Sequence, residues 1–216
     1  MRAPRSVVFT ALIAALVTIG ALVCVAALRT RGDAGSDLAM AAPGATAPTS
    51  AEECGTAPCV VLATQTVGDG AVRLLADAHG ANGRFQAGSA TVETTITQLG
   101  ARLDPGSLSC VTASASACLV SGPLNGGRVG QLLIDRSGAW RSVDKPYFSD
   151  AGVLVLGDVS GSDAPEVVVV QGSPVLARVY ALDGSVVGCT KRYTYLSQLR
   201  GWPNVRLQAA DLRSCP

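Results

Sequence analysis

The stretch from Leu156 to Val170, LGDVSGSDAPEVVVV, restricts what this chain can fold into more than any other. An apolar run, Val153-Leu154-Val155-Leu156, leads in, and Gly157 and Gly161 frame a polar loop carrying Asp158, Ser160, Ser162 and Asp163. Pro165 and Glu166 then pass directly into Val167 to Val170. Four consecutive β-branched residues bounded by Gly and Pro predict a buried strand, not a helix. The unit is therefore strand, polar loop, strand.

The same order of elements recurs twice upstream. One unit holds CVVLATQ from Cys59, AVRLLADAHG from Ala71 and GRFQ from Gly83. A second holds CLVSG from Cys118 and RVGQLLIDRSGAW from Arg128, and the third holds EVVVVQG from Glu166 and VLARVYALDGSVV from Val175. In each, a strand is followed by a turn, then by a second strand ending in an Asp and a Gly turn: Asp77 with Gly80, Asp135 with Gly138, Asp183 with Gly184. Asp and Gly between alternating apolar stretches form a hairpin signal. A fourth, joining element is expected at Thr95–Asp104, Val153–Asp158 and Val205–Leu212. Asp77 and Asp135 are 58 residues apart and Asp135 and Asp183 are 48 apart. Four strands repeating at roughly 40–50 residues match the period of a propeller blade. The expected fold is mainly β: three propeller-blade-like antiparallel units forming an incomplete or compact propeller-like domain, after one N-terminal transmembrane helix. Three units are fewer than a closed propeller uses, so an open edge strand needs covering, and Gly201–Pro216 is the expected cover.

Cysteine placement agrees with this register. Cys54 and Cys59 precede the first strand of unit one, and Cys110 and Cys118 that of unit two. A local bridge is expected in each, with Cys189–Cys215 tying the tail to unit three. Six cysteines admit 15 pairings, so spacing suggests this pattern without imposing it. Zinc would want tighter Cys-x-x-Cys knuckles or nearby His, and His79 is the only histidine. An even set of cysteines in a small domain points to an oxidising compartment.

Between Gly157 and Val170 the chain resembles the FG-GAP or VCBS repeat of extracellular β-propellers, whose loops run GDxNGDGxxDLVV. The hairpin through Val187 is similar as well. The resemblance implies a calcium site made by Asp158, Ser160, Ser162, the carbonyl of Ala164 and Glu166. Ser160 and Ser162 stand where the family has acidic or amide ligands, and Asp163 where it usually has Gly. Calcium takes several charged oxygens, so the alternative is a metal-free turn in which Asp158 and Ser160 bond backbone N–H groups. No other cofactor is expected.

At the other end, Ser6 to Leu28 is 23 residues without a charge. At ~1.5 Å per residue it reaches ~35 Å, enough for a hydrocarbon core of about 30 Å. Residues 1–5 are then a cytoplasmic start, 6–28 a signal-anchor helix, 29–53 an Ala-, Pro-, Thr- and Ser-rich tether, and 54–216 an extracytoplasmic domain. Cleavage and secretion is the alternative, using Ala39-Met40-Ala41; Cys24 lacks the small preceding residue that lipidation wants. Arg31-Gly32-Asp33 in the tether is a tripeptide that chance produces easily. A single pass through the cell membrane is the expected location. Arg in excess of Lys, in an Ala-, Gly- and Val-rich chain, suits a high-GC bacterium.

Chemistry is sparse. Net charge is +1, which removes bulk attraction to nucleic acid, and 48% hydrophobic against 15% charged residues excludes a wholly disordered chain. There is no G-x-S-x-G elbow, phosphate loop or dinucleotide fingerprint. His79 sits in a hairpin turn beside no nucleophile. Trp140, Trp202, Tyr147, Phe148, Tyr193 and Tyr195 serve either core packing or a contact surface, the latter centred on Thr190–Tyr195. No catalytic residue is expected. The leading expectation is a binding module for a protein or cell-envelope partner. The alternatives are an envelope hydrolase using Asp158, Asp163 or Glu166, and a structural subunit that pairs an open sheet edge.

Overall fold

The computed structural model describes residues 54–55 and 58–215. The expected signal-anchor helix, the tether with Arg31-Gly32-Asp33, and Cys24 lie outside the described residues. Among the described residues no helix is long and apolar enough to cross a membrane.

The domain is mainly β, with three antiparallel sheets of four, five and four strands and no closed barrel. The first sheet runs β1 (Cys59–Val67), β2 (Gly70–Asp77), β3 (Arg84–Ala87), β4 (Ala90–Glu93) in that order. The second runs β5 (Leu108–Thr112), β6 (Ser116–Leu124), β7 (Gly127–Arg136), β8 (Ala139–Ser142), and β9 (Tyr147–Ser149) also pairs with β7. The third runs β10 (Leu154–Gly157), β11 (Glu166–Gly172), β12 (Val175–Tyr180), β13 (Val186–Cys189).

The joining element differs from the sequence expectation at two of its three places. Only Leu154–Gly157 is a strand; Thr95–Gln98 is a single helical turn, α1, and Ala209–Asp211 is a 3-10 turn. Ile96 drops into the core fully buried, and Gly100 at φ 98° ends the turn. The fourth strands are instead β4 and β5. The first sheet thus gains its extra strand beside β3, whereas the other two gain theirs beside β6 and β11. This leaves β1, the counterpart of β6 and β11, on an edge with Val60 40% and Val61 50% exposed.

Layer order follows from strand alternation. On β6, Cys118 and Val120 pack with Leu74 and Phe85 of the first sheet, while Ala117 and Leu119 pack with Val167 and Val169 of the third. On β7, Val129 and Leu133 face the first sheet, and Leu132 and Ile134 the third. The second sheet is therefore covered on both sides, which is why β6 over 117–122 and β7 over 129–134 are buried without alternation. Val168 and Val170 point the other way, into a core completed by Leu199, Val205 and Leu207 of the C-terminal segment. All four valines of the run are at most 2% exposed, each contributing about 1.5–3 kcal/mol of burial. The tail thus covers a face of the third sheet, where the sequence suggested an edge; it meets the edge strand at the Cys189–Arg213 bridge and the Cys189–Cys215 disulfide. The outward face of the first sheet instead carries polar cross-strand pairs, Arg84–Glu93 at 2.6 Å and Arg73–Gln86 at 2.9 Å.

Two carboxamides hold the sheets in register. Gln65 on β1 donates to the Leu108 carbonyl and accepts from the Cys110 N–H, both at 2.9 Å, so its side chain serves the free edge of β5 as a neighbouring peptide would. Gln131 on β7 is 1% exposed; it accepts from the Thr95 N–H at 2.7 Å and donates to the Glu93 carbonyl and to the Ser142 hydroxyl. Three disulfides add covalent ties: Cys54–Cys59, Cys110–Cys118 and Cys189–Cys215, the neighbouring pairs suggested by spacing.

Replacing Gln131 by Leu strands the Thr95 N–H and the Glu93 carbonyl, and is expected to cost about 2–4 kcal/mol in chemical denaturation. The Cys189→Ser/Cys215→Ser double variant opens the loop that pins the tail. It is expected to lose about 3 kcal/mol and to red-shift emission from Trp202, which packs in the tail core.

Candidate functional site

Between β10 and β11 the loop closes on one side chain. Glu166 is 2% exposed, and its carboxylate accepts from the Val159 N–H at 2.8 Å, the Ser160 N–H at 3.5 Å, the Ser162 hydroxyl at 3.3 Å and the Ser160 hydroxyl. Asp158 accepts from the Gly161 N–H at 2.8 Å, an Asx-type turn. Asp163 adopts φ 60°, and its carbonyl accepts both the N–H and the hydroxyl of Ser114, tying the loop to the β5–β6 turn. Asp158 therefore bonds a backbone N–H as in the metal-free reading, whereas Ser160 turns its hydroxyl to Glu166. A calcium ion here would have to displace these donors from Glu166, whose charge they already compensate. Among the described residues no group of three or more His, Cys, Asp or Glu side chains is placed to hold a metal.

The three carboxylates considered for hydrolysis do not converge on a cleft. Asp158 and Asp163 are exposed, Glu166 is buried, and none lines the grooves at Ile134–Asp183, Val67–Trp140 or Gly106–Asn204. His79 is exposed at its turn, its N–H donating to Asp77. Burial pushes the Asp77 carboxyl up, but hydrogen bonds from Ala81, His79 and Asn82 outweigh it and hold the group below the usual carboxylate range. Asp183 is likewise a turn residue, accepting the Ser185 N–H at 2.8 Å. Asp135 is not: it lies within β7 opposite Trp140, and the turn is made by Ser137 at φ 57° and Gly138 at φ 83°. Of the aromatic residues, Trp140 packs on Phe85 at 5.0 Å, Tyr147 on Tyr180 at 5.3 Å, and Trp202 joins the tail core. Phe148 and Tyr195 are exposed, and Tyr193 lies under the Lys191 ammonium. In the Thr190–Tyr195 segment Thr190 is buried and accepts the Ala177 N–H, whereas Lys191, Arg192, Thr194 and Tyr195 are exposed.

A groove of about 310 Å³ opens between the second and third sheets, where β7 and β8 run past the apolar core. Ile134 pairs directly with Arg141 across β7 and β8, and Arg136 lies two residues on from Ile134, so both guanidiniums share the face turned to the third sheet. Asp144 lies beyond β8, and Leu182 and Asp183 form the opposite wall. The ion pairs among the described residues, Arg84–Glu93 and Arg200–Asp211, use none of these four charged groups. Hydrogen bonds from Ser185 hold the Asp183 carboxyl below its ordinary range, with the Arg136 charge adding to the effect. In the same core cluster as Ile134, Tyr147 is 3% exposed and its hydroxyl has no partner; burial pushes this phenol up, Tyr180 and Asp183 adding to the effect. Sequence reasoning missed this groove, because Arg136, Arg141 and Asp144 come together only through the β7–β8 register.

Comparison with protein-family models, curated proteins and solved structures gives no match to this chain.

Glu166→Gln removes the charge that four donors share and is expected to cost about 1.5–3 kcal/mol, measured by chemical denaturation. Calorimetry of the unaltered protein with added calcium is expected to show no rise in Tm beyond that given by magnesium.

Proposed function

We propose that this chain is a membrane-tethered extracytoplasmic module that acts by binding, and that its sheets are propeller-type blades similar to FG-GAP or VCBS repeats. The observation that carries this reading is the use made of the carboxylates. Glu166, the best-placed acid of the repeat loop, is consumed as a structural acceptor, and Asp158 caps a turn. Repetition of the strand, turn, strand order in three sheets supports kinship with propeller repeats. The apolar run Ser6–Leu28 and three disulfides support an anchor followed by an oxidising compartment.

A second reading, a structural subunit that accepts a strand from another chain, draws on the β1 edge. That strand contains no charge or Pro and its two valines are exposed, so the irregularity between Val61 and Ala63 is the one guard against pairing that it carries.

Protease added to intact cells is expected to degrade the 54–216 region while leaving the chain membrane-bound, and crosslinking followed by affinity capture is expected to recover a reproducible protein or envelope partner. Protection of the domain from protease overturns the topology; capture of no partner after crosslinking overturns the binding role.

A further inference from the structure

The groove between the second and third sheets carries balanced charge: Arg136 and Arg141 against Asp144 and Asp183. Two opposite pairs in one concave site would ordinarily close on one another. None does within 4.0 Å, although Arg136 is near enough to act on Asp183. Arg136 and Arg141 are diagonal neighbours on one face, about 7–8 Å apart by β geometry, so one anion can reach both guanidiniums. Fork-shaped donors without a partner suit a carboxylate. Two acids in the same groove disfavour a purely anionic ligand, and two arginines disfavour a purely cationic one. Between the charges lies an apolar floor of Ile134, Val143 and Leu182.

We propose that this groove binds a zwitterionic α-amino acid with an apolar side chain. Arg136 and Arg141 take its carboxylate, Asp144 its ammonium group, and Ile134, Val143 and Leu182 its side chain. Asp183, already hydrogen-bonded to Ser185, holds the Arg136 side of the groove by charge. The volume, at the small end of ligand sites, suits a free amino acid and not a long chain. Tyr147, with its unpartnered hydroxyl, belongs to the same inter-sheet cluster as Ile134, and Val143 and Leu182 pack against that cluster. This inference deepens the binding role proposed above. Its failure leaves the tether and the partner capture untouched, so the two are separable.

The test is saturation-transfer NMR of the full-length protein with L-leucine, N-acetyl-L-leucine, which lacks the ammonium, and L-leucinamide, which lacks the carboxylate. Leucine is expected to bind saturably, and each half-ligand about tenfold more weakly, the loss of one charge-assisted contact. Arg136→Gln, Arg141→Gln and Asp144→Asn should each weaken leucine by a similar factor. Arg73→Gln, on the outward face of the first sheet, should leave it unchanged. All four positions are exposed, and tryptophan emission checks that each variant folds. Non-saturable transfer, half-ligands that match leucine, or unchanged affinity in the groove variants overturns the proposal.

Discussion

Burial of the second sheet on both of its faces is the constraint on which the rest of the domain depends. β6 and β7 each send alternate side chains to two different cores, one shared with the first sheet and one with the third. Neither neighbour can be removed without exposing half of β6 and β7. The two outer sheets then need different solutions for their far sides. The first presents polar pairs to solvent, and the third recruits the C-terminal segment as a cover. An array of β units ended in this way need not close on itself, because each terminal face is already compatible with water.

Apolar faces set which sheets meet, but they do not set how the sheets are offset. That is the work of polar side chains with the donor and acceptor pattern of a peptide group. Gln65 and Gln131 each bridge from one sheet to the backbone of another, and buried Ser149 accepts the Val153 N–H while donating to the Val170 carbonyl at the second–third junction. In a low-dielectric core such contacts penalise any other offset, since a slipped register would leave buried N–H and C=O groups unpaired. Glu166 acts in the same way on a smaller scale, ordering a loop by gathering its donors. Arg136, Arg141 and Asp144, which take no part in this bonding, line the groove between the second and third sheets.

Much of the fold could be read from residue order. Strands at Cys59, Ala71, Cys118, Arg128, Glu166 and Val175 announce themselves by strand-forming runs broken at Gly, Pro and Asp, and the cysteines pair in sequence order, although Cys110 and Cys118 lie within β5 and β6 as cross-strand partners and do not precede a strand. The errors share a cause. Thr95-Ile96-Thr97 has strand propensity, yet Gln131 captures the Thr95 N–H and the core captures Ile96, so the chain turns. Asp135 looked like Asp77 and Asp183, but Ser137 and Gly138 take the left-handed positions and leave it inside the strand. In both cases a residue distant in sequence, or one step away in register, outbid local preference.

For this protein the sequence by itself determined the mainly β class, the number of antiparallel sheets and several of the hairpin turns, because periodicity and Gly, Pro and Asp chemistry act over a few residues. Only the tertiary structure decided which faces are shared, that the tail covers a face and not an edge, and that Glu166 serves its own loop. It alone places Arg136 and Arg141 on one wall of a groove with Asp183 opposite. Those outcomes depend on strand register and sheet order, where a shift of one residue exchanges core for solvent, and no local pattern encodes them.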